Sequence, residues 1–419
     1  MEEWKEYKIS DVCKIRHGFA FKGAYFTNEK QPYICVTPGN FDIKGGFKLS
    51  KPKYYHGPIP NDYILNKDDL IVTMTDLSKD GDTLGYSAII PQIRDITFLH
   101  NQRIGLVESI ASNISKHFLY WVMRTPEYQK YIVNCCSGST VKHTSPKLIG
   151  TYVFKAPDPE TQEEIASLLN NLDAKIELNR RINDNLEQQA QALFKSWFVD
   201  FEPFKEGMFV DSELGMIPES WRVCSAETIF KINIGKTPPR KEQQWFSNIN
   251  NGNVKWISIS DLGSNEIFIE DSKEYLTKEA ISKFNIIVVP EDTILVSFKL
   301  TVGRVGISNC ELTTNEAVAR FYLPKSYFRE YTYLSLKKYN YARLGSTSSI
   351  ATAVNSKIIK NMKLLIPPVT IISEFSKRIN PLFNAIRIYE NEIRNLSKIR
   401  NTLLPKLMSG ELKINDINN

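Results

Sequence analysis

A lysine-bearing turn in the second half of the chain ends like a phosphate-binding P-loop. The turn is Gly235-Lys236-Thr237, and a P-loop would have a glycine five residues earlier, where this chain has Phe230. Pro238 and Pro239 follow directly, although a P-loop places phosphate at the start of a helix. The sequence therefore does not predict a nucleotide site here.

Two other strings imitate catalytic motifs. The run 380–383, Asn-Pro-Leu-Phe, resembles the Asn-Pro-Pro-Phe/Tyr motif of amino-methyltransferases, but it lies in a helical pattern and no Gly-rich cofactor loop precedes it. Pro157-Asp158 with Asp173-Ala174-Lys175 imitates the acidic metal site of a nuclease. That site needs its second acid and its lysine on a strand, whereas these residues lie in a helical pattern.

Histidines and cysteines do not add a catalytic or metal site. All five histidines, at 17, 56, 100, 117 and 143, fall in the first half of the chain. The six cysteines, at 13, 35, 135, 136, 224 and 310, form no Cys-x-x-Cys pair. We therefore expect a non-enzyme whose function is recognition, with no cofactor or metal of its own.

Length and charge set the broad class. A chain of 419 residues with 42% hydrophobic residues is long enough for two or three domains. Its formal charge of +6 permits an anionic partner without requiring one. No uncharged apolar run approaches the ~18 residues of a membrane span, and the first residues do not resemble a signal peptide. We expect a cytoplasmic protein that does not interact with membranes.

Two long helical patterns have the same design. In each, seam residues recur in alternating steps of four and three, as in a coiled coil, and each seam residue of the second lies 210 positions after its counterpart in the first. The first seam is Ile165, Leu169, Leu172, Ile176, Asn179, Asn183, Leu186, Ala190, Leu193 and Trp197; the second is Phe375, Ile379, Leu382, Ile386, Tyr389, Ile393, Leu396, Arg400, Leu403 and Leu407.

The predicted helix ends agree with this repeat. Asp158 can cap the first helix, with Pro159 at its first position, and we expect Pro203 to end it. The second helix should begin after Pro367-Pro368 and end at Ser409-Gly410. At ~1.5 Å per residue each seam would be about 50 Å long.

The segments before the helices repeat more loosely. Trp4, Lys14-Ile15 and Gly18 match Trp221, Lys231-Ile232 and Gly235, and Asn101-Gln102 matches Asn315-Glu316. Short β-rich runs lie between these landmarks, such as 256–260 with its alternating pattern. The predicted fold class is α+β, with two mixed α/β domains in pseudo-twofold repeat. The predicted boundaries are 1–157, helix 158–205, 206–367, helix 368–412 and a tail 413–419.

This order resembles the specificity subunit of type I restriction–modification systems over nearly the whole chain. The runs 172–179, Leu-Asp-Ala-Lys-Ile-Glu-Leu-Asn, and 193–201, Leu-Phe-Lys-Ser-Trp-Phe-Val-Asp-Phe, are similar to that family's central region. The run 403–412, Leu-Leu-Pro-Lys-Leu-Met-Ser-Gly-Glu-Leu, is similar to its distal region, and 214–221 to the entry of its second domain.

The resemblance implies a non-catalytic subunit that reads double-stranded DNA. Each target-recognition domain would read half of a gapped, bipartite site, and the two helices would pair as an antiparallel coiled coil that separates the domains. The implied partners are two methyltransferase subunits and, in the full complex, restriction and translocase subunits. S-adenosylmethionine, ATP and Mg²⁺ would belong to those partners.

Candidate DNA contacts come from polar, basic turns, which offer amides, hydroxyls and cations to phosphate and base edges. An ordinary solvated loop or an ion pair is the alternative at each position, and Glu316 could accept from cytosine but repels phosphate. We assign Trp245 and Trp256 to the core or its rim. The candidates are Lys22, Asn101, Gln102, Arg103, Ser139, Thr140, Lys142, His143, Lys236, Thr237, Arg240, Lys299, Arg304, Ser346, Thr347 and Ser348.

Two other classes of function compete with this interpretation. A coiled-coil scaffold would join proteins without DNA specificity, and its partner binding would be insensitive to salt, whereas phosphate contacts weaken steeply with salt. A fused methyltransferase would need the cofactor loop that the sequence lacks.

Overall fold

The computed structural model describes residues 4–78, 81–138, 141–263, 266–344 and 354–417. The chain divides into two compact units. The first unit is Met1–Lys175 with Asn395–Asn419, and the second unit is Ile176–Arg394. This division cuts both long helices, so each unit holds one mixed α/β domain and part of each helix.

In the first unit, two sheets carry the domain. A four-stranded antiparallel sheet has the order Lys14–His17, Ile104–Glu108, Leu70–Thr73 and Ser87–Ile89. A five-stranded sheet has the order Phe26–Thr27, Tyr54–Tyr55, Tyr33–Val36, Thr97–His100 and Ile64–Leu65, with its third and fourth strands parallel. Two further pairs are Lys5–Lys8 with Val153–Ala156 and Thr75–Asp76 with Lys142–His143.

The second unit repeats this topology. Its five-stranded sheet has the order Lys231–Ile234, Val318–Tyr322, Ile294–Ser297, Val305–Ser308 and Phe268–Ile269. Its four-stranded sheet has the order Phe246–Ser247, Tyr275–Leu276, Val254–Ile257 and Thr313–Thr314, with the last two parallel. Pairs form between Arg222–Ser225 and Lys363–Ile366 and between Phe209–Val210 and Ile217–Pro218. The predicted α+β repeat is confirmed.

The long helices are Pro159–Phe198 and Val369–Met408, each 40 residues long. Their first residues are 210 positions apart, and so are their last residues, which is the offset between their seam residues. Shorter helices are Ile9–Val12, Lys116–Val122, Pro126–Cys135, Pro146–Gly150, Lys278–Lys283, Arg329–Lys338, Ser356–Lys360 and Ile414–Ile417.

The ends of the helices follow local chemistry. The Asp158 carboxylate accepts hydrogen bonds from the amides of Glu160 and Thr161, at 2.9 and 3.1 Å, so the predicted cap is present. Gly410, with φ +74°, follows the second helix. The expectation for Pro203 is wrong, because the first helix ends at Phe198 and Phe201 then adopts a left-handed φ of +55°.

The seam positions are buried or half-buried in both units, which is what a paired helix face requires. In the first unit Ile165, Leu169 and Leu407 are buried, and Leu172, Leu396 and Leu403 are half-buried. In the second unit Ile176, Asn179, Trp197, Phe375, Ile379 and Ile386 are buried, and Asn183, Leu186, Leu193, Leu382, Tyr389 and Ile393 are half-buried.

Within each unit the two helices run antiparallel. In the second unit, Asn179 donates to Glu392 at 2.8 Å. Phe198, further along the first helix, makes an edge-to-face contact with Phe375, earlier in the second, with ring centroids 4.7 Å apart. In the first unit, Asp173 pairs with Arg400, and Ile165 shares a core with Leu407. The domain boundaries drawn from the sequence stay a prediction.

A buried ion cluster ties the helices to the first domain. The Asp173 carboxylate on the first long helix accepts from Arg124 at 2.5 Å and also from Arg400 on the second long helix. The Arg124 side chain is 3% exposed, lies over the rings of Trp121 and Tyr120, and donates to the carbonyl of Lys44. One carboxylate therefore balances a guanidinium that has almost no access to water.

A different carboxyl group ties the second long helix to the second domain. Glu390, 3% exposed, accepts from the backbone amides of Ile267 and Phe268 at 2.6 and 3.0 Å. One turn further along the helix, Arg394 pairs with Glu266 and Glu270, each at 2.9 Å. These contacts fix the segment entering the strand Phe268–Ile269 against the helix.

Candidate nucleic-acid interface

In the first domain, three loops meet at one end of the four-stranded sheet. The loop beginning at Gly18 bonds to the turn Asn101–Arg103, where the amide of Gln102 donates to the carbonyl of Phe19 at 2.9 Å. The loop that follows Leu70–Thr73 bonds to the same turn through the amide of Met74 and the carbonyl of Arg103, at 2.9 Å. We call residues 18–22, 74–78, 81–84 and 101–103 the first three-loop edge.

The second domain builds an equivalent edge. The amide of Lys236 bonds to the carbonyl of Thr314 at 3.0 Å, and the amide of Phe298 to the carbonyl of Ala317 at 2.9 Å. We call residues 235–240, 298–304 and 315–317 the second three-loop edge. The repeated landmarks of the sequence, Gly18 with Gly235 and Asn101 with Asn315, thus occupy the same places in the two domains.

The two landmark glycines allow a close crossing of chains. A Cβ atom at Gly18 would lie 2.2 Å from the Asn101 carbonyl oxygen, and one at Gly235 would lie 2.1 Å from the carbonyl oxygens of Thr314 and Asn315. These obstacles are backbone atoms and cannot rotate away. Glycine is therefore required where the first loop of each edge passes over the Asn turn.

We expect Gly18→Ala to lower the free energy of unfolding of the first unit by about 1–3 kcal/mol, the usual cost of overpacking. Urea denaturation would measure this loss. Gly23→Ala is the matched control, because a Cβ there meets nothing within 4 Å. Equal stability of the two variants would contradict the close crossing.

The landmark asparagines hold the turns through internal hydrogen bonds. Asn101 is 8% exposed; its Oδ1 accepts from the Arg103 amide at 3.0 Å, and its Nδ2 donates to the Cys35 sulfur at 3.4 Å. Asn315 accepts from the Ala317 amide in the same way, at 3.0 Å. Both ends of the Asn101 amide therefore have internal partners that fix the turn, and the base contact expected of Asn101 stays a prediction.

The residues after each asparagine are the ones that face solvent. Gln102 and Arg103 are exposed on the first edge, and Glu316 is exposed on the second. The counterpart of Arg103 is Ala317, which is buried. The two edges therefore present different hydrogen-bonding groups from the same place in the fold.

Further candidates of the first domain lie beside its edge. Lys22 is exposed directly before the turn Gly23–Tyr25. Lys142 and His143 form a strand that pairs with Thr75–Asp76, and the Thr144 amide bonds to the carbonyl of Met74 at 3.0 Å. His143 is exposed, with its Nδ1 3.2 Å from the Thr75 hydroxyl. The structure thus places Lys142 and His143 beside the loop whose Met74 bonds to Arg103.

On the second edge, two of the cationic candidates for DNA contact, Lys236 and Arg240, are bonded to other residues of the same domain. Lys236 donates to the carbonyls of Phe284 and Asn285, at 3.2 and 3.3 Å, and Thr237 donates to Glu316. Arg240 makes two bonds to Glu274, at 2.8 and 2.9 Å, and lies 4.5 Å from the ring centres of Phe246 and Trp256.

The pKa values of the Arg240–Glu274 pair reflect these bonds. The bond to Glu274 raises the pKa of Arg240, and the same bond lowers the pKa of Glu274. The Glu274 carboxylate therefore offsets the charge that Arg240 would offer to phosphate.

The two tryptophans of this region lie where the sequence predicted. Trp256 is 1% exposed and Trp245 is half-buried, as expected for the core and its rim.

Lys299 and Arg304, the other candidate DNA contacts of the second edge, differ in their exposure. Lys299 is exposed on the loop 298–304, whereas Arg304 is half-buried and donates to the carbonyl of Ile259 at 2.7 Å. This bond holds the Arg304 side chain against the segment at Ile259, and its expected DNA contact stays a prediction. Ser139, Thr140, Ser346, Thr347 and Ser348 lie outside the described residues.

The sequence did not indicate that Leu300, a residue of the second edge, is exposed. Leu300 lies at the tip of the loop 298–304 with 99% of its surface exposed. It lies shortly after the apolar strand Ile294–Ser297, so its residue type predicts burial, and the path of the loop reveals its exposure.

Neither a metal centre nor a membrane helix is found in the part of the chain that the structure describes. Within those residues no three His, Cys, Asp or Glu side chains cluster as metal ligands would. The helices found there are too polar or too short to cross a membrane.

Comparisons with known proteins agree with the fold. Residues 1–188 and 218–398 match the family model "Type I restriction modification DNA specificity domain". The HindI specificity subunit of Haemophilus influenzae is 26% identical, across 98% of this chain and 100% of that protein. The MjaIX specificity subunit of Methanocaldococcus jannaschii is 29% identical, across 73% of this chain and 71% of that protein.

A solved structure shows the same fold. It is the type I restriction–modification S subunit from M. genitalium, with a TM-score of 0.55, 15% sequence identity and coverage of 97% of this chain and 96% of that one. The family match spans most of the chain and both mixed domains. The chain belongs to the family of DNA specificity subunits of type I restriction–modification systems.

Proposed function

We propose that the chain reads a gapped, bipartite site in duplex DNA, with each three-loop edge reading one half. The observation that carries this proposal is the repetition of the edge, with different exposed side chains at the same place. Gln102 suits adenine and Arg103 suits guanine, whereas Glu316 can accept from the amino group of cytosine. Each well-read base pair discriminates by about 1–3 kcal/mol, so selectivity across a genome needs two linked modules.

In this proposal the helix pair sets the unread gap between the half-sites and docks two methyltransferase subunits. Restriction and translocase subunits join in the full complex. S-adenosylmethionine, ATP and Mg²⁺ belong to those partners, and the chain acts in the cytoplasm. The long seams support the spacer role, because paired helices of fixed length hold two sites at a fixed distance.

The test is a genome-wide map of N6-methyladenine in cells that carry the methyltransferase partner, with and without this chain. A gapped two-part motif that depends on the chain is the expected result. An unchanged map, with expression of both proteins verified, would favour the scaffold alternative and end the proposal.

The same map gives a prediction for single residues. We expect Gln102→Ala and Arg103→Ala each to relax one position of one half-site, and Glu316→Ala to change only the other half. The loss of discrimination should be about 1–3 kcal/mol at the affected base pair. The two sets of variants are controls for each other, and a change in both halves from one substitution would refute independent reading.

A further inference from the structure

The backbone at the tip of the second edge is unusual for the residue it carries. Leu300 has φ +57°, a left-handed conformation that leucine rarely adopts and that glycine or asparagine would adopt at low cost. The side chain is 99% exposed, so burial does not offset this cost. Backbone outliers of this kind collect at functional sites.

The loop that carries Leu300 is held firmly at its base. The Ser297 hydroxyl donates to the carbonyl of Thr301 at 2.6 Å, and the Gly303 amide donates to the carbonyl of Ser297 at 2.9 Å. Phe298 is buried under the tip at 1% exposure. The position of the leucine is therefore set by the fold.

The surroundings of the tip suit a nucleic acid. The bond from the Phe298 amide to Ala317 puts the loop beside exposed Glu316, and exposed Lys299 directly precedes the leucine. A cation next to a projecting apolar side chain can hold phosphate while the side chain meets the bases.

The first edge shares part of this arrangement, with an exposed leucine on the matching loop but without the left-handed backbone. Leu77 is 68% exposed on the loop that follows Leu70–Thr73. There the Thr73 hydroxyl donates to the carbonyl of Thr75 at 3.0 Å, and the Gly85 amide donates to the carbonyl of Thr73 at 2.9 Å, as Ser297 and Gly303 do in the second domain. An exposed leucine on the same loop of both domains indicates a shared role.

We propose that Leu300, and Leu77 in the first domain, make apolar contact with the bases of duplex DNA and determine specificity at one step of each half-site. The contact is a wedge between stacked bases or packing on a thymine methyl group. This inference rests on the proposed function. It gives the second edge, whose Lys236 and Arg240 have internal partners, an affinity that does not depend on those cations.

The experiment uses the full chain with its methyltransferase partner and duplex oligonucleotides that carry the mapped motif. Leu300→Asn suits the left-handed backbone, so we expect it to fold with an equal or higher melting temperature. We expect it to raise the dissociation constant about tenfold, the lower range for a lost buried leucine. Ile249→Ala, which also removes an exposed apolar side chain of the second domain, at 71% exposure, should leave affinity unchanged.

Two probes distinguish the modes of contact. A wedge by Leu300 would raise the fluorescence of 2-aminopurine in its half-site, and Leu300→Asn would abolish the rise. Packing on a thymine would instead show as several-fold weaker binding when uracil replaces that thymine. Wild-type affinity and an unchanged motif in the Leu300→Asn protein would overturn the inference. Absence of any motif with the wild-type chain would instead defeat the proposed function.

Discussion

Replacing Asp173 by alanine is expected to lower the free energy of unfolding of the first unit by about 3–5 kcal/mol, the typical cost of removing one partner from a buried ion pair. The substitution removes the carboxylate between Arg124 and Arg400, whose side chains are 3% and 14% exposed. The Arg124 guanidinium would stay packed on Trp121, with its charge no longer balanced by this carboxylate. Urea denaturation followed by tryptophan fluorescence would measure the loss.

The difference in stability between the wild type and Asp173→Ala is predicted to depend on pH. Burial raises the pKa of Asp173, but Arg124 and Arg400 outweigh it and the pKa is lowered overall. The contribution of Asp173 to stability is therefore present above the unfolded-state pKa of ~3.9 and is lost as the pH falls through the folded-state value. Wild-type and variant stabilities should converge in acid. Asp184→Ala, at an exposed position of the same helix, is the control, and an equal loss in both variants would contradict the prediction.

Raising the pH from 5 to 8 is expected to weaken the second unit through Glu390. Burial raises the pKa of this residue to about 8; the amides of Ile267 and Phe268 and the charge of Arg394 oppose the rise, and Glu266 adds to it. A raised acid pKa gives stability that is fully present below the unfolded-state value and lost as the pH rises through the folded one. The slope should approach about 1.4 kcal/mol per pH unit in that range.

Glu390→Gln should remove that slope, since its amide does not titrate. It should also cost stability at low pH, because Nε2 cannot accept from a backbone amide. Hydrogen exchange of a peptide that includes Ile267 and Phe268 would follow both effects. Glu374→Gln, at an exposed position of the same helix, should keep the wild-type slope. A slope that survives in Glu390→Gln would assign the pH dependence to other groups.

The long helices were predictable because their signal is local. A seam in steps of four and three places residues on one helix face wherever that face packs, and Asp158 and Gly410 mark ends through contacts within a few residues. The predicted strand at 256–260 was too long for the opposite reason. It ends at Ile257, because the Asp261 carboxylate accepts from both the amide and the hydroxyl of Ser258.

The sequence indicated which loops meet in each domain, but much less about the partners of their side chains. The repeated Gly and Asn landmarks led to these loops, whereas the contacts of each side chain depend on residues far away in sequence. Asn101 bonds to Cys35, and Arg240 to Glu274. No local pattern encodes such pairs. The exposure of Leu300 could not be predicted, because a leucine after an apolar run indicates a core residue unless the turn is known.

The two three-loop edges have a consequence for evolution. Main-chain bonds such as those from Met74 to Arg103 and from Phe298 to Ala317 hold the loops together, and nearly any residue can supply them. Positions 102, 103 and 316 can therefore mutate without dismantling the framework that presents them. If each edge reads one half-site, as proposed above, a few codon changes would retarget one half-site and leave the other unchanged, and new specificities would arise by small steps from a working protein.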